Sequence, residues 1–221
     1  MERFIAAPVK AAVVRVYVAR HGETTWNLAG RYQGRLESEL SPLGVRQARA
    51  LATAMSEQRV GCVVSSPLVR CTATARPSAE ALGVTVETDE RLTEIAHGTW
   101  EGRLREEIAE NDPERYRMWR HDPAHVRFER GESIAEVLER WRAFAASFRP
   151  RTPALVVTHD AVIRVAIVAA KGLGLEAFWN GRVENGAYSE FDVTAAGWSL
   201  LRENVADHLG PLRASTEGQA L

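Results

Sequence analysis

Four short stretches of the chain are β-branched and apolar, and the first and last stop at small polar groups. Ala12 to Val18 reads as a buried strand ending at Arg20-His21-Gly22. Val60 to Val64 reads as a second strand and Val84 to Glu87 as a third. Ala154 to Val157 reads as a fourth, stopping at Thr158-His159-Asp160. Helical patterns fall between them. Ser41-Pro42 opens one that runs to about Met55, with Ser41 as N-cap and Pro42 at the first helical position. Ser66-Pro67 opens the next in the same way, and Gly83 closes it. A strongly apolar helix from Ala161 to about Ala170 is closed by Gly172. Tyr188 to Val193 and Trp198 to Glu203 predict a hairpin turned at Ala195-Ala196-Gly197.

Strands alternating with helices predict an α/β fold, a mainly parallel sheet with helices on both faces, followed by the C-terminal hairpin. Between Glu94 and Pro153 the pattern changes. This stretch is rich in Arg, Glu, Trp and His, and its helices are amphipathic, with apolar positions at Ile134, Val137, Leu138, Trp141 and Phe144. It reads as a helical cap insertion, about 100–150, over the active end of the sheet. The chain is expected to form a single domain over 12–206. Its turn-forming, polar residues 207–221 are expected to be a flexible tail.

The length of 221 residues suits one α/β domain with an insertion. The net charge of -1 gives no global attraction to nucleic acid or to an anionic membrane, so an anionic substrate must be drawn by a local cluster of cations. No apolar run is long enough to span a membrane, and residues 1–11 lack the continuous apolar core of a signal peptide. Cys62 and Cys71 have no CxxC partner and read as small core residues, which favours a cytoplasmic location.

In parallel sheets ligands sit beyond the carboxyl ends of the strands. That rule brings together Arg20-His21-Gly22-Glu23-Thr24, Ser65-Ser66-Pro67-Leu68-Val69-Arg70 and Thr158-His159-Asp160. Phosphoryl transfer without a metal needs cations for the phosphate, an unprotonated nucleophile and a proton for the leaving oxygen. Arginine supplies paired donors that match phosphate oxygens. A neutral imidazole is a competent nucleophile, and nearby arginines oppose its protonation.

On these residues the sequence resembles the histidine phosphatase superfamily, in its phosphatase branch, a phosphoglycerate mutase-like fold. The resemblance starts with Arg20-His21-Gly22-Glu23-Thr24, Trp26-Asn27, Gly30-Arg31 and Gln33-Gly34. It continues through Leu43-Gly44, Gln47-Ala48, Ser65-Ser66-Pro67-Leu68, Arg70, Thr74-Ala75, Leu92, Glu94, Gly98 and Trp100-Glu101-Gly102. Gly131-Glu132-Ser133, Val157-Thr158-His159 and Val162-Ile163-Arg164 complete it. The order of several motifs, rather than a lone Arg-His-Gly, carries the signal. The resemblance implies a phosphoric monoester hydrolase of the histidine acid phosphatase type. His21 would be phosphorylated, Arg20, Arg70 and His159 would hold the phosphoryl oxygens, and Glu94 would be the proton donor. Asn27 matches a phosphate contact, and Gln33 and Gly34 lie in a loop that often lines the pocket. No cofactor and no metal are implied. The implied partner is a small phosphorylated molecule, not nucleic acid or membrane, and a homodimer is left open.

Two departures from the family pattern stand out. Asp160 takes the place of the usual Gly, and its carboxylate is expected to turn from the phosphate and pair with a cation. Glu37 and Glu39 stand where Asp and Pro are usual, and are expected to alter only the loop surface. Pro123 interrupts the spacing of His121 and His125, so with His97 they make a weak metal site. Trp26, Tyr32, Trp100 and Trp119 read as packing residues first, with the leaving-group pocket as the alternative, where Arg120 is also a candidate. Asn185 and Tyr188 are weaker candidates. Two rival functions remain at this stage, a cofactor-dependent phosphoglycerate mutase and a non-catalytic phospho-ligand binding module.

Overall fold

The computed structural model describes residues 13–216 and 218–220. The expected strand start at Ala12 and the reading of residues 1–11 lie outside them. The strands are β1 (Val14–Arg20), β2 (Cys62–Ser65), β3 (Val86–Thr88), β4 (Ala154–Thr158), β5 (Tyr188–Thr194) and β6 (Gly197–Val205). They form one sheet of order β3-β2-β4-β1-β5-β6. β3, β2, β4 and β1 run parallel, and β5 and β6 are added antiparallel as the expected hairpin. The helices are α1 (Thr25–Leu28), α2 (Pro42–Glu57), α3 (Val69–Leu82), α4 (Arg105–Asn111), α5 (Pro113–His121), α6 (Ile134–Ser147) and α7 (Asp160–Lys171).

Successive side chains of a strand point to opposite faces, and the two faces hold separate cores. Val16, Val18, Ala154 and Val156 pack with α6 and α7, through Val137, Trp141, Phe144, Val162 and Val165. Tyr17, Ala19, Leu155 and Val157 pack with α2 and α3, through Leu51, Met55, Cys71 and Ala75. Both cysteines are free thiols. Ser41 caps α2 as expected, its side chain accepting from the Gly44 N–H at 3.0 Å. Gly83 and Gly172 end α3 and α7 in the left-handed conformation.

Four expectations need correction. α3 starts at Val69, not at Ser66-Pro67, and its N-cap is Leu68 with no side-chain cap bond. The Ser66 hydroxyl is used elsewhere, against His159. Glu37, expected only at the loop surface, accepts from the Val69 N–H at 2.9 Å and so covers the first turn of the helix that carries Arg70. α6, assigned to the cap, lies on the sheet instead, because its apolar stripe meets Trp198 of the hairpin, with Trp141 at a ring distance of 5.2 Å. The cap proper is built around Phe128, on which Trp100 and Trp119 both pack at ring distances of 5.0 Å. Lastly, the stretch expected as a loose tail is held at several points. Asp207–Leu212 is a 3₁₀ segment that buries Leu209, and Gln219 and Ala220 are buried.

Candidate active site

The site is positioned by the backbone ladder before any side chain is considered. β1 pairs with β4 so that Arg20 faces Thr158, and the His21 N–H donates to the Thr158 carbonyl at 3.0 Å. The Ser66 N–H donates to the Val157 carbonyl at 2.9 Å. Three strand ends from distant parts of the chain are therefore level. Gly22 makes the turn out of β1, where a Cβ would lie 2.6 Å from the Gly44 carbonyl oxygen. A side chain there would push α2 away from the site.

His21 is fully enclosed. Its Nδ1 lies 2.8 Å from the Gly22 carbonyl oxygen, which can only accept, so Nδ1 carries the proton and Nε2 keeps its lone pair. Burial, then Arg70 and Arg20, holds the His21 imidazole well below its usual pKa. It is therefore neutral at physiological pH, as a nucleophile must be.

Arg20 and Arg70 are buried as well. Arg70 donates from Nη1 to the Leu36 carbonyl at 2.9 Å and from Nη2 to the Gly34 carbonyl at 2.7 Å. Arg20 donates from Nη1 to the Val183 carbonyl and from Nη2 to the Gln219 side-chain oxygen, both at 2.8 Å. Each guanidinium is thus held by its outer nitrogens, while the Nε of both is buried without a partner. A buried, unpaired donor costs roughly 1–3 kcal/mol, more when charged, which an anion in the cavity would relieve.

Glu94 lines the same cavity. Its Oε1 accepts from the Ile95 N–H at 2.9 Å and the Ala161 N–H at 3.3 Å. Burial, helped by the Asp160 carboxylate, pushes its pKa up to about 7 against the opposing pull of Arg70 and Arg20. A carboxyl poised there can give and take a proton near neutral pH.

His159 stands edge-on to His21, with ring centres 5.3 Å apart. Its Nε2 lies 2.8 Å from the Ser66 hydroxyl and 3.3 Å from the Cys71 sulfur. Burial, then Arg70, also holds it well below its usual pKa. It adjoins His21 but does not itself line the cavity. Asp160 turns its Oδ2 to the Arg164 Nε at 2.6 Å and keeps Oδ1 3.8 Å from the Arg20 Nη1. Its carboxylate is therefore paired with cations. Oδ1 has no hydrogen bond.

The structure gathers Arg20, His21, Gln33, Gly34, Arg70, Glu94 and Asp160 around one cavity. Gly34 has φ +51, and a Cβ there would meet the Glu101 carboxylate, so the loop favours glycine. Asn27 does not line the cavity. It caps α1 reciprocally with Thr24, and its Nδ2 lies 3.3 Å from the Gln219 oxygen. Of the aromatic candidates, Trp119 lines the cavity, while Tyr32 and Trp100 are core. Asn185 braces the His21 carbonyl at 3.2 Å, and Tyr188 packs on Tyr17.

His97, read from the sequence only as a weak metal ligand, lines the cavity with both ring nitrogens unpaired and its pKa pushed down to about 3 by burial, so it is neutral. His125 by contrast is exposed and pairs with Asp122 at 2.7 Å. Among the described residues no three His, Cys, Asp or Glu gather as a metal ligand set. Gln219 and Ala220 close the site from the far end of the chain, with no local pattern to announce them.

Comparison with known proteins gives the same direction. The sequence profile of the histidine phosphatase superfamily (branch 1) matches residues 16–206. Phosphoserine phosphatase 1 of Hydrogenobacter thermophilus is 37% identical over 201 residues, covering 90% of this chain and 95% of that protein. The adenosylcobalamin/alpha-ribazole phosphatase of Escherichia coli is 31% identical, over 81% of this chain and 90% of its own. The solved structure of Bacillus stearothermophilus YhfR superposes with a TM-score of 0.85 at 26% identity, covering 89% of this chain and 99% of that one.

Proposed function

The chain belongs to the histidine phosphatase superfamily, branch 1, and from that membership we propose that it hydrolyses a small-molecule phosphate monoester through a phosphohistidine at His21, without a metal. One observation carries the reading. Arg20 and Arg70, each with a buried and unpaired Nε, line one cavity with an unprotonated His21 and a Glu94 able to hold a proton.

The chemistry follows from these groups. The phosphoryl oxygens take the two Nε–H donors, which supply the charge that a metal supplies elsewhere. His21 Nε2 attacks phosphorus, the P–O bond to the leaving group breaks, and Glu94 delivers its proton to the departing oxygen. Phosphate charge next to the histidines offsets the arginines that keep them neutral, and His159, steadied by Ser66 and Cys71, supports the transferred group. Glu94, now a carboxylate, takes a proton from water as the water attacks phosphorus and the P–N bond breaks. Phosphate leaves and His21 is restored.

The test is phosphate release from p-nitrophenyl phosphate in the presence of EDTA, with acid-labile, base-stable labelling of the protein trapped at early times. Replacing His21 with Ala should abolish both. Retained turnover in that variant would remove the mechanism. Isomerisation of 3-phosphoglycerate, primed by the 2,3-bisphosphate, that outran phosphate release would replace the phosphatase with the mutase.

A further inference from the structure

Of the two departures from the family pattern, only Asp160 reaches the catalytic cavity. Its Oδ2 is spent on the Arg164 Nε at 2.6 Å, one turn along α7. Its Oδ1 is not spent. The residue is 3% exposed, and Oδ1 is buried with no hydrogen bond. The Arg20 Nη1 lies 3.8 Å from it but donates to the Val183 carbonyl. The charged and titratable groups around this carboxylate are therefore Arg164 on its own helix, Arg20 at the end of β1, and Glu94, whose proton it helps to hold.

An ionised carboxylate only accepts hydrogen bonds, and a buried acceptor is costly to leave without a donor. The cavity has a free volume of about 20 Å³, which takes about one water, and a water can supply that donor in the resting protein. A phosphoryl group that enters displaces it. A fully ionised phosphoryl group has acceptors only, so oxygen would face oxygen at Oδ1. A phosphoryl group that keeps one proton has a P–OH, and the same contact becomes a charge-assisted hydrogen bond. The arginines ask for the opposite, because a guanidinium only donates. Arg20 and Arg70 thus line the cavity with donors, and Asp160 lines it with one acceptor. That set matches a tetrahedral anion with a single proton left on it.

We propose that Asp160 Oδ1 accepts a hydrogen bond from a P–OH group, so that the cavity takes the phosphoryl group with one proton on it and rejects tetrahedral anions that have none. This rests on the phosphatase reading above and names the ionic form that its site binds. Arg164 holds the other carboxylate oxygen and so fixes which one faces the anion. The glycine usual at this position presents no acceptor, and the selectivity belongs to the departure from the family pattern.

Inorganic phosphate and sulfate isolate the proton. Both are tetrahedral and of nearly equal size, and at about pH 5.5 phosphate keeps a proton while sulfate has none. Glu94, with its pKa pushed up to about 7, is protonated there and meets both anions alike. In calorimetry the parent protein should bind phosphate about 10²-fold or more tighter than sulfate, as a site built to receive a hydroxyl rejects an analogue without one. Asp160→Asn keeps the size of the side chain and an oxygen for Arg164, and replaces the acceptor with an amide donor. It should cut the preference by about ten-fold or more, and sulfate should bind more tightly than in the parent. Asp160→Gly should cut it as well. Equal affinities in the parent, or a preference unchanged in both variants, would overturn the assignment. Inorganic anions carry no alcohol, so a donor on the leaving group cannot produce the result. Turnover of p-nitrophenyl phosphate by the same parent preparation separates the two readings. An Asp160-dependent preference in a protein that releases no phosphate would sink the phosphatase reading and leave this one standing. Turnover together with equal affinities would do the reverse.

Discussion

Glu94 is pressed toward its neutral form by burial and by the Asp160 carboxylate, and toward its charged form by two arginines and a backbone N–H. The balance falls near pH 7, which sets the pH behaviour of the reaction. As the proposed proton donor, Glu94 is competent below its pKa, so kcat/KM for an alkyl phosphate should fall as pH rises through about 7. In Glu94→Gln that limb should vanish, with a loss of about 10²–10⁴-fold, and the loss should be much smaller for p-nitrophenyl phosphate, whose leaving group needs little protonation. In Asp160→Asn the limb should move to lower pH, because one of the groups that keeps the proton on Glu94 is gone. An unmoved limb would show that another group titrates. Stability follows the same sign. The folded pKa lies above the unfolded one, so the stability tied to the Glu94 proton is present below the unfolded value and is lost as pH rises to about 7. Glu94→Gln should therefore be more stable than the parent at pH 8, by up to ~3 kcal/mol, and melt at a higher temperature in a thermal scan.

At the scale of elements, the strand ends were legible and the tail was not. β1 and β4 announce themselves because a buried parallel strand must be apolar throughout, and the polar residues that stop each run are the ones the sheet delivers to the site. Arg70 was legible from its motif, but its support was not. Glu37 touches α3 across 32 residues of sequence, and no periodicity encodes such a contact. α6 was read as cap because amphipathicity tells that a helix has an apolar face, not what covers it. Gln219 is the extreme case, a polar residue in a polar stretch whose partners are 192, 199 and 34 positions away. Its latch has a measurable consequence. If the tail must release Arg20 before an anion binds, the apparent affinity is lowered by the fraction of time the latch is open. Gln219→Ala should tighten inorganic phosphate binding by about 3–10-fold in calorimetry. Weaker binding would mean that the tail helps to hold the phosphate rather than excluding it.

For the whole molecule, the cost of the site is its empty state. Two arginine Nε groups, one Asp160 oxygen and both His97 nitrogens are buried without partners. A fold that carries these unpaired groups should be noticeably firmer when an anion answers some of them. At phosphate concentrations of about 100 times Kd, binding contributes about 2.7 kcal/mol. For a chain of this size that corresponds to a rise in Tm of about 5–10 °C, beyond the effect of chloride at equal ionic strength. Arg70→Ala should lose the rise even if its own melting temperature is lower. A shift that survives in that variant would place the anion elsewhere.

The pairing of Arg20 with Thr158 has one more consequence. His21 and His159 each follow the end of one of two adjacent parallel strands, whose spacing of about 4.8 Å is set by peptide geometry. Substitutions in the cap or the tail therefore leave that spacing untouched. The chemistry is written in the backbone, and selectivity is left free to drift around it.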